Sequence, residues 1–286
     1  MGSTVSIPWA LLEEEWVVMK WMEKFLGKGK RSQRPRCGAI VAAAGSSSRM
    51  GGENKLMLPL AGIPVLARTL MALDRSELVD EIVVATREED LLAVADLCKL
   101  YALSKPVKIS RGGETRLASV LAASMECGED VAYLAVHDGA RPLVEPELID
   151  SVIQMAFRTN AAALAVPVKD TIKVAQEGKI VSTLDRGTLR AVQTPQVFDA
   201  QLLRAALQAA ADSGEPVTDD CGAVERLGKE VYLTDGSYET INITTPEDMI
   251  LAEAILVRRE GGLGGCRGLA VARMCRAGCG GGPRHV

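Results

Sequence analysis

The reading of the fold turns on "CGAIVAAAGSSSRMGGENKLMLPL", residues 37–60. Its opening run is apolar at every position, as a strand covered on both faces should be. The chain leaves that run through Ala44, Gly45 and three serines, and two cations follow, Arg49 and Lys55. Small residues at a strand exit let backbone N–H groups approach an anion, and a helix starting beyond them adds its positive end. Arg49 offers forked donors to phosphate oxygens, and Lys55 a mobile point charge. Taken alone, the run reads equally well as an ordinary βα turn with solvated cations. It contains neither G-x-x-x-x-G-K-[ST] nor G-x-G-x-x-G, which excludes a Walker loop and a dinucleotide fingerprint.

Outward from this stretch, strands and helices alternate. "GAIVAAA" (38–44), "EIVVAT" (81–86), "VKIS" (107–110), "AYLAVHD" (132–138) and "AAALAVPV" (161–168) read as buried strands. Helical spacing fills 64–74, 88–101, 115–126 and 145–158. That order predicts an α/β fold with a doubly wound, mostly parallel sheet. Ligands on such sheets bind at the carboxyl ends of the strands. Two further strand exits are therefore of interest. "HDGARPLV" (137–144) puts Asp138 at a strand end, where a carboxylate can orient a ribose or reach a metal ion. Capping of the helix near Glu145, with Arg141 as a surface partner, is the simpler alternative. "SRGGETRLASV" (110–120) is a second glycine-rich exit, and Ser119 falls one turn into its helix.

Composition bounds the function. A chain of 286 residues with 48% hydrophobic content can bury a large core, but 3% aromatics means that the core is aliphatic. A net charge of −4 lacks the basic stripe of a nucleic-acid binder. No apolar run is long enough for a membrane span, and the N-terminus lacks the order of a signal peptide. Seven irregularly spaced cysteines suggest no disulfide framework, so a reducing, cytoplasmic setting is expected. Residues 1–36 hold all three tryptophans and read as an N-terminal extension with an amphipathic helix that docks on its own domain or frays, a membrane surface or partner being the alternative. Residues 260–286, rich in Gly, Arg and Cys, read as a disordered tail; Cys275, Cys279 and His285 match no standard zinc spacing.

Together these loops resemble the nucleotidyltransferases of sugar- and alditol-phosphate metabolism, in particular the 2-C-methyl-D-erythritol 4-phosphate cytidylyltransferase family. The blocks that carry the resemblance are "AAAGSSSRMG", "RGGETRLASV", "VHDGARPLV", "VPVKDTIK", "LDRGTLRAVQTPQVF", "VTDDCGAVERLG" and "INITTPEDM", in the family's order, over about residues 37–258. The resemblance implies a Rossmann-like fold with a projecting β-arm, and transfer of a cytidylyl group from CTP to a polyol phosphate in non-mevalonate isoprenoid biosynthesis. It implies Arg49, Lys55 and Arg186 as catalytic. Ala42, Ala43, Ala44 and Gly45 would line the nucleotide, Gly112, Gly113, Glu114 and Ser119 the cytosine, and Asp138 and Gly139 the ribose. Asp138, Arg141, Thr171, Arg186, Thr194 and Thr218 would take the acceptor.

It further implies Mg2+ carried mainly by the CTP phosphates, and a homodimer. In that dimer "VKDTIKVAQEGKIVSTLDR" (168–186), a ribbon turning at Glu177-Gly178, embraces a second subunit. An edge hairpin on the monomer is the alternative for the ribbon. Asn242 departs from the family, which usually has Lys there; slow turnover, or compensation by another cation such as Lys169 or Lys173 from the arm, is expected. Other acceptors, ribitol 5-phosphate or molybdopterin, and a non-catalytic nucleotide-binding role remain as alternatives. Asp219 and Asp220 read either as a carboxylate pair for a metal or as a cap for the helix from Cys221. His137 is expected to fix a backbone carbonyl rather than to transfer a proton.

Overall fold

The computed structural model describes residues 34–45 and 54–262. The expectations for residues 1–33, for the serines and Arg49, and for 263–286 therefore lie outside the described residues. The chain divides into two units between Pro35 and Arg36, and all the strands and helices of the sheet domain belong to the second.

The apolar runs become strands where expected. β1 (Arg36–Ala43) is followed by a short ribbon of β2 (Pro59–Leu60) and β3 (Ile63–Pro64), then by α1 (Val65–Arg75) and β4 (Val79–Thr86). The helix expected over 88–101 is a 3-10 turn at Glu88–Asp90 leading into α2 (Leu91–Leu100). β5 (Val107–Arg111), α3 (Arg116–Glu126), β6 (Val131–Asp138), α4 (Pro146–Thr159) and β7 (Ala161–Pro167) continue the alternation. β8 (Lys173–Gln176) and β9 (Lys179–Thr183) form a separate two-stranded ribbon. β10 (Arg190–Asp199), α5 (Ala200–Ser213), α6 (Asp220–Arg226), β11 (Tyr232–Asp235) and α7 (Pro246–Gly262) complete the unit.

Seven strands form one sheet in the order β11-β7-β10-β6-β1-β4-β5. β1 pairs in parallel with both β4 and β6, so the chain runs outward from β1 to β5 and then returns to β1's other side. The sheet is mostly parallel, as expected. Its exception is β10, which enters antiparallel between β6 and β7. Neither β10 nor β11 is marked as a strand by sequence periodicity. β10 contains Pro195, which cannot donate to a ladder, and the pairing with β7 is interrupted between Val192 and Gln196 around it.

Strand alternation sorts the core into two layers. Val41, Ile82, Val84 and Ala135 face one side with Leu66, Leu70, Ile149 and Ile153 from α1 and α4. Ile40, Val83, Leu134 and Val136 face the other with Val120, Leu203, Leu207 and Val224 from α3, α5 and α6. A sheet buried on both faces explains why its strands read as continuous apolar runs. The ribbon differs. Every residue from Thr171 to Thr188 is exposed, and Glu177 and Gly178 turn with φ of 49° and 76°, the paired positive values of a tight hairpin.

Candidate active site

Parallel register brings the strand exits together. Ala42 lies beside Asp138, Ala43 beside Thr86, and Thr86 beside Arg111, so β1, β4, β5 and β6 end along one edge. A cleft of about 430 Å³ opens there. That volume lies within the usual range for small-molecule sites. Ala42, Ala43, Ala44 and Gly45 form one wall, and Gly113, Glu114 and Ser119 another.

The glycine exit after β5 is demanded by close approach. A Cβ on Gly112 would stand 2.5 Å from Cβ of Ala44, and one on Gly113 would stand 2.6 Å from Cβ of Ala118. Ser119, buried, accepts from the Gly113 N–H at 3.1 Å and donates to the Thr115 carbonyl at 2.8 Å. Its hydroxyl therefore holds the 113–115 loop against α3. Thr115 caps α3 by accepting from the Ala118 N–H. Gly139 leaves β6 tight against β1, donating to the Ala42 carbonyl at 3.0 Å.

Lys55, Asp138 and Asn242 also line the cleft. Lys55 Nζ donates to the Ile243 carbonyl at 2.7 Å. Asp138 is surrounded by donors: Arg116 Nη2 reaches Oδ1 at 3.4 Å, while Arg141 Nε and Asn242 Nδ2 reach Oδ2 at 3.1 and 3.3 Å. Burial alone would raise the carboxyl pKa, but the two guanidiniums outweigh it and hold Asp138 below its ordinary range. Arg116 is a residue that the sequence reading misses. It stands in the cleft wall and also forms a 2.8 Å ion pair with the buried Asp220.

Other expected site residues lie behind the cleft or away from it. Arg141 does not line the cleft; it supports Asp138 and donates to the Thr240 carbonyl at 2.9 Å. Thr194 is buried behind the cleft, accepting from the Asp138 N–H at 3.2 Å and meeting His137 Nδ1 at 2.9 Å. His137 lies 3.3 Å from the Arg141 carbonyl through Nε2. A carbonyl accepts only, so Nε2 carries the proton and Thr194 donates to Nδ1. Burial pushes the His137 pKa down to about 4, so the ring is neutral and serves the backbone. Thr218 borders a separate shallow depression with Val217 and Arg226. Thr171 and Arg186 sit on exposed chain near the ribbon, and Arg186 donates to the Lys169 carbonyl. None of Thr171, Arg186 and Thr218 lines the cleft of its own chain.

Of the two readings of Asp219 and Asp220, the helix cap holds. Asp219 and Asp220 are not a carboxylate pair, because they diverge. Asp219 caps α6 from the Gly222 N–H and accepts from Gln196, whereas Asp220 turns toward Arg116. Within their own chain the arm lysines stay outside the cleft, Lys169 Nζ lying 3.4 Å above the Tyr238 ring and Lys173 donating to Thr183, so compensation from the arm requires a neighbour's ribbon. Arg116 lines the same cleft as Asn242 and brings a cation to it. Burial pushes the Cys127 and Cys221 thiols up, Cys127 to about 12 with help from Glu81, which disfavours their thiolates.

A doubly wound sheet whose strand exits gather small residues, a lysine and a guanidinium-held aspartate has the parts that a nucleotidyltransferase needs to hold a nucleotide's phosphates and ribose. Similarity to known proteins narrows that class. The sequence model of the 2-C-methyl-D-erythritol 4-phosphate cytidylyltransferase family matches residues 37–258. A Bacillus cereus protein of that name is 42% identical over 218 residues, covering 76% of this chain and 96% of the relative. One from Caldanaerobacter subterraneus subsp. tengcongensis is 45% identical over 221 residues, covering 76% and 97%. The crystal structure of 4-diphosphocytidyl-2C-methyl-D-erythritol synthase from Anaerococcus prevotii superposes with a TM-score of 0.72 at 30% identity, covering 78% of this chain and 97% of that one. This chain belongs to the 2-C-methyl-D-erythritol 4-phosphate cytidylyltransferase family.

Proposed function

We infer that this chain transfers the cytidylyl group of CTP to 2-C-methyl-D-erythritol 4-phosphate, and that residues 37–259 carry the activity. The observation that carries this reading is the meeting of Lys55, Arg116, Asp138 and the glycine exit after β5 in one cleft, in a chain that belongs to this family. An oxygen of the acceptor phosphate bonds to the α-phosphorus of CTP. The bond from that phosphorus to the oxygen bridging toward the β-phosphorus breaks, and pyrophosphate leaves with the electron pair. The acceptor is already an anion near neutral pH, so no strong base is needed, and no covalent protein intermediate forms.

What the chain supplies is alignment and charge. Lys55, with Arg49, holds the triphosphate and offsets the charge that develops at phosphorus. Gly112, Gly113, Glu114 and Ser119 present backbone and side-chain groups to the cytosine, and Asp138 with Gly139 faces the ribose. Arg141 and Thr194 act on the acceptor through Asp138, which both hold, and Thr218 is assigned to the acceptor by family membership alone. Thr171 and Arg186 are remote from their own cleft, and the ribbon exposes Val174, Ile180 and Val181. These features support a homodimer in which each ribbon covers the neighbour and completes its acceptor site.

A divalent cation fits this site in a limited way. Among the described residues no three carboxylate, histidine or cysteine groups cluster, and both oxygens of Asp138 are engaged. Such a donor set suits Mg2+ held by the substrate phosphates rather than by a protein ligand set. When bound, the ion neutralises phosphate charge. Among the described residues no helix is long and apolar enough to cross a membrane. We place the protein in the cytoplasm, where CTP is made.

The test is pyrophosphate release from CTP and Mg2+ with 2-C-methyl-D-erythritol 4-phosphate, ribitol 5-phosphate or molybdopterin. Turnover with the first is expected. Turnover with another acceptor alone would replace it, and CTP binding without turnover on any of them would establish the non-catalytic reading.

A further inference from the structure

Arg116 occupies the first turn of α3, where the helix's own dipole is already positive, and no acidic residue stands in that turn to offset it. A cation at that position is unfavourable unless other groups hold it there. Two do. Its Nη2 lies 3.4 Å from Asp138 Oδ1, in the cleft, and its Nη1 lies 2.8 Å from Asp220 Oδ2, at the start of α6. The Asp220 side chain is 1% exposed and does not line the cleft. Its Oδ2 finds no well-aligned hydrogen bond among the described residues, so the ion pair is what holds its charge.

We propose that Arg116 is a positioning residue that braces Asp138 for nucleotide binding by leaning on the buried carboxylate of Asp220. Arg141 and Asn242 hold the other oxygen of Asp138, so the carboxylate is clamped from both sides. Only a forked guanidinium spans the two acids; a lysine at 116 keeps the charge and loses one arm. Burial pushes the Asp220 carboxyl up, and the adjacent Arg116 opposes that shift without cancelling it. The competing account is a purely structural pin between α3 and α6. A pin would change stability alone, whereas a brace would change what Asp138 does for the ligand.

The deciding variant is Asp220→Asn, which removes a charge remote from substrate while preserving shape. Calorimetric titration with CTP is expected to show Kd raised about tenfold, with kcat/KM lowered at least as much, because a small misplacement of a binding group has large kinetic cost. The thermal midpoint is expected to move by only a few degrees. Arg116→Lys should act in the same direction, and the double variant should be no worse than Arg116→Lys alone, since one brace is broken once. Wild-type Kd and turnover in Asp220→Asn, or multiplying effects in the double variant, would overturn the proposal. Should Asp220→Asn fail to fold, the cycle of Arg116→Lys with Asp138→Asn gives the same decision: non-additive effects on Kd are expected, and additive ones refute the brace. The proposal rests on the cytidylyl-transfer reading. A wild-type chain that does not bind CTP removes both, whereas normal binding left intact by Asp220→Asn removes only the brace.

Discussion

Asn242 donates from Nδ2 to Asp138 Oδ2 at 3.3 Å, and its own Oδ1 is buried without a hydrogen-bond partner among the described residues. The residue thus spends its donor on a protein carboxylate and has no charge to lend a phosphate. Asn242→Lys would place a third cation beside Asp138, next to Arg116 and Arg141. Removing one preorganised donor from a transition-state site commonly costs ~10²–10³ in kcat. A flexible lysine restores less, so kcat or CTP affinity is expected to rise about tenfold. Steady-state kinetics on the variant checks this, and no gain means that Arg116 already fills the role.

Lys55 ties the strand exit after β1 to the loop before α7 through the Ile243 carbonyl. Lys55→Ala removes a cleft cation and one hydrogen bond. The loss in kcat/KM is expected to be about a hundredfold or more, while the fold should lose only about 1 kcal/mol. Kinetics read beside a denaturant titration separate the two.

The buried ring of His137 makes a prediction about pH. Its pKa falls to about 4 in the folded chain because burial disfavours the charged form, whereas an exposed histidine titrates near 6.5. The unfolded state therefore binds more protons between these values, and stability drops as pH falls from about 6.5 toward 4. The full difference amounts to ~3 kcal/mol. Thermal midpoints measured across this range should decline, and His137→Asn, less stable at neutral pH, should flatten the profile. Activity between pH 7 and 8 should show no step from this group.

Gly112→Ala tests the packing behind the cleft wall, where Gly112 meets the lining residues Ala44 and Ser119. The new Cβ would lie 2.5 Å from Cβ of Ala44, so the 112–115 loop or the end of β1 must shift. Overpacking of this kind costs about 1–3 kcal/mol, and CTP affinity should fall about tenfold because both walls belong to the site. Calorimetry with CTP is the measurement.

Replacing residues 170–185 by a short glycine turn should leave the thermal midpoint of the sheet domain nearly unchanged, because no ribbon residue is buried. Acceptor turnover should nevertheless be lost, and sedimentation should report a monomer for the deletion and a dimer for the intact chain. A dimer that survives the deletion would assign the interface elsewhere.

The strand exits are legible in the sequence alone. Apolar runs without alternation announce strands covered on both faces, and Gly112, Gly113 and Asp138 stand at their ends. The importance of Arg116 is not legible, although an arginine opening α3 against the helix dipole is a signal that something anionic waits there. Asp220 reads as half of an acidic pair, because adjacency in sequence says nothing about two side chains leaving a helix start in different directions.

By itself the sequence determined the alternation of strands and helices, the two-sided burial of the sheet and the residue types at its carboxyl edge. Each follows from local periodicity and from the small residues that close approach requires. Only the tertiary structure decided that β10 runs against its neighbours and that Thr194 serves His137. It also decided that Asp138 is gripped from residues 22 and 104 positions away. Those outcomes depend on which distant segments pack together, and packing is a collective result of burying the whole core rather than a property of any short stretch.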